Sequence, residues 1–272
     1  MYNGTVEVKL DETQGKHQYQ VTDSEKGLVN ATMRGVTDIK RTIIAKPGLM
    51  HWSRDEAINY LKKHCTTPLS KTTLQVTEQD LEKASQAYTI KQDFGKDVGT
   101  EVHGAIENFL VSDVTTSVSQ DARKSFNAFL DWYANINAKK VSVEQPVYSR
   151  ERQYCGKYDA LLEIDGKTIL VDFKTTNISP YALKKGKDWT GLYPEDFLQL
   201  GFYAKAYKEA DKNEIDDLML VNCTKDGKLI TLTATEIGWS VEGCENLAMS
   251  ALDIADGLNN IKKSAINMEI YK

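Results

Sequence analysis

The sequence predicts a mixed α/β (α+β-like) chain, in which a central mixed sheet is flanked by helices and preceded by a helical N-terminal region. Three observations carry that prediction. Apolar residues recur at helical spacing through much of residues 36–134. After Ala138 the period changes to two. A helix, a second hairpin and a closing helix then follow, without regular βαβ alternation. The 272 residues suffice for a sizeable core, and 41% hydrophobic with 27% charged content exclude a disordered or collagen-like chain.

The elements are predicted in order. Thr5–Leu10 alternates and Gln18–Thr22 answers it across a Gly15-Lys16 turn. Val36–Ile44 has helical spacing, Pro47-Gly48 interrupts it, and Ser53 caps a second helix through Leu61. A Thr-rich loop precedes a helix from about Thr77 to Ala87. Gly95 and Gly99 frame a loop, and a further helix runs from Thr100 through Leu110. Phe126, Phe129, Leu130 and Tyr133 form the apolar stripe of a helix over 121–134. Strands follow at 141–148, 153–164 and 168–174, the last two joined by Asp165-Gly166, a strong hairpin signal. Glu195–Ala210 reads as a helix, 218–223 and 228–233 as a hairpin, and 236–265 as a long helix whose glycines weaken its continuity. The domain boundary is placed between residues 1–94 and 95–272.

Charge and cysteine content narrow the function. The balance of 39 acidic to 34 basic residues excludes a binder that coats DNA through bulk charge, yet permits a local basic patch. Residues 31–64 supply one, with seven Lys/Arg against three acids and His51 and Trp52 embedded. That segment reads equally as a solvated helical face or as a phosphate-contacting edge with an aromatic for base stacking. Cys65, Cys155, Cys223 and Cys244 are isolated, which reads as free thiols of a reducing compartment. No apolar leader or 18-residue apolar run is present, so an intracellular, soluble protein without membrane contact is expected. No GxGxxG or GxxxxGK segment occurs, which argues against kinase and dinucleotide chemistry.

The chemistry is concentrated in Gly156-Lys157-Tyr158-Asp159-Ala160 and Val171-Asp172-Phe173-Lys174-Thr175-Thr176. Asp172 and Lys174, two apart on a strand, share a face, while Val171 and Phe173 take the other. With Asp165 and Gly166 central in the turn, Asp159 falls opposite Asp172. Adjacent carboxylates repel unless a cation lies between them, and a hard ion such as Mg²⁺ suits their oxygens. Lys174 beside them could orient a water or neutralise a phosphoryl oxygen, which is equipment for phosphodiester hydrolysis. A DxK on a strand is, by itself, more often a modest surface ion pair.

Asp159 followed by Asp172-Phe173-Lys174 resembles the signature of the PD-(D/E)xK nuclease superfamily, and the form Gly156…Asp159…Val171-Asp172-Phe173-Lys174-Thr175 is similar to its RecB-like branch. Gln199-Leu200-Gly201-Phe202-Tyr203 matches that branch's Gln-x-x-x-Tyr helix, and Gly99-Thr100-Glu101-Val102-His103-Gly104 its upstream histidine helix. The segment around Thr37–Trp52 resembles the N-terminal part of phage-encoded and mitochondrial genome-maintenance exonucleases of the branch. The likeness spans roughly residues 30–210.

The resemblance implies a restriction-endonuclease-like core over 95–272 and a DNA-contacting region over 1–94. It implies that Asp159, Asp172, the Phe173 carbonyl and His103 hold metal, that Lys174 is the catalytic lysine, and that Gln199 and Tyr203 line the site. Glu107, one helical turn from His103, would be a further ligand or a partner of one, and Glu144 a supporting residue. Arg34, Lys40, Arg41, Lys46, Trp52, Arg54, Thr175 and Thr176 are the candidate DNA contacts. Some relatives hold an iron–sulfur cluster with one early and three late cysteines; the late triplet is absent here, so no cluster is expected.

The function expected is a Mg²⁺-dependent deoxyribonuclease, with Mn²⁺ substituting. Foremost is an exonuclease on linear double- or single-stranded DNA ends in recombination, repair or replication, in a bacterial cytoplasm if phage-encoded. A structure-selective or single-strand endonuclease and an inactive DNA-binding scaffold are the alternatives. A single-strand-annealing or recombination protein and further copies of the chain are the expected partners.

Overall fold

Asp165 and Gly166 both adopt left-handed backbone, with φ of 51° and 75°. That is the requirement of the two-residue turn whose twist matches that of paired strands. This hairpin lies at the heart of the sheet in a computed structural model of the chain, which describes residues 1–11, 18–44, 47–67, 70–176, 192–211 and 214–267. In chain order the elements begin with β1 (Val6–Asp11), β2 (Gln18–Asp23), β3 (Leu28–Gly35), α1 (Val36–Ile43) and α2 (Pro47–His64). Next come β4 (Thr66–Thr67), β5 (Ser70–Leu74), α3 (Glu78–Ser112) and α4 (Gln120–Asn135). The chain continues through β6 (Lys139–Ser149), β7 (Tyr154–Ile164), β8 (Lys167–Lys174) and α5 (Pro194–Asp211). It ends with β9 (Asp217–Cys223), β10 (Leu229–Thr233) and α6 (Val241–Asn267).

The main sheet is mixed, in the order β1-β2-β3-β7-β8-β9-β10, with β6 on the other edge of β7. The register of the central hairpin is the expected one, with Ala160 opposite Val171 and Leu161 opposite Leu170. One edge of β7 is shared. Its start pairs in parallel with β3 at Tyr154 and Cys155, and its end pairs with β8 from Ala160 onward. Residues 156–159 lie between those two ladders. β8 then runs parallel to β9 through Asp172↔Leu220 and Lys174↔Asn222.

Apolar residues from α1, α5, α6 and β6–β9 form the principal core on one face of the sheet. Phe173 goes to an aromatic group with Phe129 and Trp132 of α4, its ring 5.5 and 6.4 Å from theirs. Ser119 caps α4 by accepting from Ala122 N–H at 3.3 Å. Glycine permits two close approaches: a Cβ at Gly156 would meet the Tyr203 ring at 2.4 Å, and one at Gly201 would meet the Cys244 carbonyl oxygen of α6 at 2.3 Å.

Two expectations about elements need correcting. Residues 78–112 form one helix, α3, rather than two helices around a loop at Gly95–Gly99. Glycine in a helix costs about 1 kcal/mol relative to Ala, and a 35-residue helix has enough flanking turns to absorb two such penalties. Residues 28–35 form the strand β3, which connects the N-terminal hairpin to the main sheet through β7. Val29, Ala31 and Met33 do alternate with Asn30, Thr32 and Arg34, but the signal is weak because alanine is a poor strand former and Val29 is exposed. The second helix also begins earlier, at Pro47, where a missing N–H is harmless. The Gly15-Lys16 turn lies outside the described residues.

Contacts divide the chain into two compact units, one made of Met1–Ile44 with Val102–Lys272 and the other of Ala45–Glu101. The smaller unit holds α2, the β4–β5 pair and the first part of α3. Cys65, Cys155, Cys223 and Cys244 are buried free thiols. Among the described residues, no helix is long and apolar enough to cross a membrane.

Candidate active site

The site forms where β7 and β8 part. Beyond the Ala160–Val171 pair the Asp159 carboxylate takes over from the ladder, with Oδ2 accepting the Phe173 backbone N–H at 2.7 Å. The Phe173 carbonyl accepts a hydrogen bond from His103 Nε2 at 2.6 Å, and the other ring nitrogen, Nδ1, stands 3.7 Å from Asp159 Oδ2. Asp159, the Phe173 carbonyl and His103 are therefore assembled around one point, although the histidine comes from α3.

Asp172 and Lys174 project from the opposite face of β8 to Phe173, toward α5, as strand alternation requires. The Lys174 ammonium lies 2.5 Å from Asp172 Oδ2 and 3.9 Å from Asp196 Oδ1. Gln199 and Tyr203, one turn apart, complete the lining: Gln199 Nε2 donates to Tyr203 Oη at 2.8 Å and reaches Asp172 Oδ1 at 3.4 Å. Gly156 is what allows Tyr203 to lie against β7. The helix start is fixed by Asp196, whose Oδ2 accepts the Tyr193 N–H at 3.2 Å, the side-chain half of a capping box.

Burial and charge oppose one another throughout this network. Burial pushes the Asp159 carboxyl above its usual range; His103 opposes the rise and Asp172 adds to it. For Lys174 burial disfavours the charge, but Asp172, Asp196 and Asp159 together outweigh it and hold its pKa above the ordinary lysine value. Burial, with Asp172 adding, raises the Tyr203 phenol well above its usual range. The site is a tight cluster of alternating charges in which Asp172 and Asp196 are buried while Asp159, Lys174 and His103 keep partial access to water.

The remaining sequence-predicted residues divide. Glu144 of β6 falls opposite Asp159 in the register set by Val143↔Ala160 and Gln145↔Tyr158, and its carboxylate pairs with Lys157 at 2.5 Å. Burial pushes that carboxyl up. Glu107 lies one turn beyond His103 on α3. Arg34 and Arg41 border a groove of about 660 Å³ with Thr37, Tyr19, Lys157 and Tyr203. Arg34 is paired with Asp256 and Arg41 with Asp38. Lys40 turns inward, to Asp196 and Gln199. Among the described residues Thr175 Oγ1 is buried without a hydrogen-bond partner, whereas Thr176 Oγ1 accepts from Asn222 Nδ2 at 2.8 Å, tying the end of β8 to β9. In the smaller unit Trp52 packs edge-on against Tyr88 and donates to Glu56, and Arg54 pairs with Asp55 at the surface. Lys46 lies outside the described residues.

Lys40 and Asp196 are the members of the network that the sequence reading did not place there. Asp196 carried a legible signal, since 196, 199 and 203 fall on one helix face. Lys40 carried none, because its partners are distant in the chain.

Among the described residues, no group of three or more His, Cys, Asp or Glu side chains forms a ready coordination shell. Three of the donors that are gathered nevertheless suit a hard cation in kind, two carboxylates and one backbone carbonyl, while the imidazole is a borderline ligand. Their present partners include each other, Lys174 and Gln199.

No protein-family model matches the chain, and no curated protein matches it. Among solved structures, the alkaline exonuclease LHK-Exo of Laribacter hongkongensis is 10% identical over 71% of this chain and 89% of its own, with a TM-score of 0.30. The same exonuclease in complex with dAMP gives 10% identity over 87% of this chain and 94% of that one, with a TM-score of 0.34. An exonuclease candidate from Eubacterium rectale is 10% identical over 79% of this chain and 87% of its own, with a TM-score of 0.35. Scores this low leave the functional reading to the geometry of the site.

Proposed function

We propose that the chain is a metal-dependent deoxyribonuclease, and specifically an exonuclease that hydrolyses phosphodiester bonds from linear DNA ends. One observation carries this reading. Asp159, Asp172, Lys174, the Phe173 carbonyl and His103 come from two strands and a distant helix, yet meet at the end of the β7–β8 hairpin. A surface ion pair would need neither the burial nor the histidine.

Asp159, Asp172, the Phe173 carbonyl and His103 would hold the cation, Mg²⁺ or in its place Mn²⁺. When bound, such an ion supplies Lewis-acid stabilisation of phosphoryl charge and lowers the pKa of water. The chain's own residues do the rest. The Asp159–Phe173 N–H bond fixes the two strand ends, so that carboxylate and carbonyl face one point. Lys174, kept protonated by its acidic neighbours, places a positive charge where the scissile phosphate gains negative charge. Gln199 orients Asp172, and Tyr203 closes the wall beside it.

The test is degradation of linear duplex and single-stranded DNA labelled at either the 5′ or the 3′ end, in Mg²⁺ or in EDTA, with closed circles alongside. Metal-dependent loss of linear DNA with circles left intact is the expected result. Cleavage of closed circles would remove the exonuclease assignment, and no cleavage of any DNA in Mg²⁺ or Mn²⁺ would remove the nuclease.

A further inference from the structure

The site holds a second buried cation. The Lys40 side chain is only 13% exposed, and its ammonium donates to Asp196 Oδ1 at 3.0 Å and to Gln199 Oε1 at 3.1 Å. A lysine that served to meet a phosphate backbone would extend its head group into solvent. This one is withdrawn from water, and burial lowers its pKa while Asp196 opposes the fall. Such a placement is sustained by specific partners rather than by a diffuse field.

Those partners have directional consequences. The Gln199 amide has two ends of nearly equal size and opposite hydrogen-bonding sense. Reversed, it would place its carbonyl oxygen beside Asp172 Oδ1, acceptor against acceptor. An ammonium donates and cannot accept, so Lys40 can meet only the Oε1 end. That leaves the amide NH₂ for Tyr203 Oη and Asp172 Oδ1. On its other side Lys40 holds Asp196 Oδ1, the atom that lies 3.9 Å from Lys174. One acidic group, Asp196, and one amide, Gln199, both beside the Asp172–Lys174 pair, are thus oriented from α1.

We infer that Lys40 is a positioning residue of the site, locking Gln199 and Asp196 so that Asp172 and Lys174 are presented in one arrangement. It acts through those side chains and makes no contact of its own with DNA. The inference rests on the proposed function and adds to it a residue from outside the motif-bearing strands.

The experiment compares Lys40→Met, Lys40→Arg, Gln199→Ala and the Lys40→Met/Gln199→Ala double variant with the unaltered chain. Steady-state degradation of linear DNA is measured in Mg²⁺ over a range of salt concentrations. Lys40→Met should lower kcat by about 10- to 100-fold, the usual loss when the partner of a ligand is removed, with KM within about twofold. Its salt dependence should match that of the unaltered chain, because no phosphate contact is lost. In the Gln199→Ala background the same change should cost less than in the unaltered chain, since one of the two groups through which Lys40 acts is already gone while Asp196 remains. Lys40→Arg, which keeps the charge and the donors, should recover part of the loss. A raised KM with unchanged kcat and a shallower salt slope would make Lys40 a DNA contact and overturn the inference. Full additivity of the Lys40 and Gln199 changes would do so as well.

Melting of the same four variants in EDTA without DNA reads the coupling independently of activity. The summed shifts of Lys40→Met and Gln199→Ala should exceed that of the double variant by at least about 1 °C, about half the shift expected per kcal/mol in a chain of this size. If the unaltered chain cuts no DNA, the proposed nuclease fails; the melting comparison still decides whether Lys40 acts through Gln199.

Discussion

Gly156 shows how a single residue conditions the site. Its missing side chain is what admits the Tyr203 ring, since a Cβ there would lie 2.4 Å from Tyr203 Cε1. Gly156→Ala should therefore destabilise the chain by about 1–3 kcal/mol, the range for overpacking, read as a lower melting temperature. In a Tyr203→Ala background the penalty should largely vanish. The motif Gly156…Asp159 was legible in the sequence, but its reason was not, because the ring that requires the glycine comes from another element. The same holds for the metal-ligand candidates. Asp159, Asp172 and Lys174 could be put together from turn chemistry and strand alternation alone. His103 needed a family resemblance to enter, and Lys40 escaped because nothing local marks a lysine whose partners lie on a distant helix.

At the scale of elements, the packing of α5 against α6 positions Gln199 and Tyr203. Gly201 makes the approach possible, with the Cys244 carbonyl oxygen 2.3 Å from where a Cβ would be. In a helix Ala normally exceeds Gly in stability by about 1 kcal/mol. At Gly201 the sign should reverse, because the obstacle is backbone: Gly201→Ala should lower the melting temperature and, by displacing α5, reduce turnover. Gly257 on α6 provides the contrast, since nothing lies within 4 Å of its Cβ position. Gly257→Ala should stabilise by about 0.5–1 kcal/mol, seen as a small rise in melting temperature. Element type was legible wherever periodicity was strong, as in β6–β8, α4 and α5. It failed where a short alternation was carried by weak strand formers, in β3, and where glycines suggested a break that the long helix α3 overrides.

For the molecule as a whole, the N-terminal strands are secured by Arg150, in the turn between β6 and β7. Its guanidinium makes a forked pair with the fully buried Asp23, at 2.8 and 3.0 Å, and lies 4.2 Å over the Tyr2 ring. Thr5 and Glu25 take two more of its five N–H donors. Arg150→Ala leaves Asp23 buried without its cation, a change that costs about 3–5 kcal/mol. Urea unfolding should register it as a lower midpoint with an unchanged slope. The central claim concerns the middle of β7, where two carboxylates, a lysine and a histidine meet as a site for DNA hydrolysis. Its most direct test is single-turnover degradation of end-labelled linear DNA in Mg²⁺ by the unaltered chain, Asp172→Asn and Lys174→Ala, each shown by melting to be folded. The geometry predicts cleavage by the unaltered chain and losses of about 10²–10⁴-fold in both variants, the range for a group acting in the chemical step. Undiminished cleavage by either folded variant would contradict it.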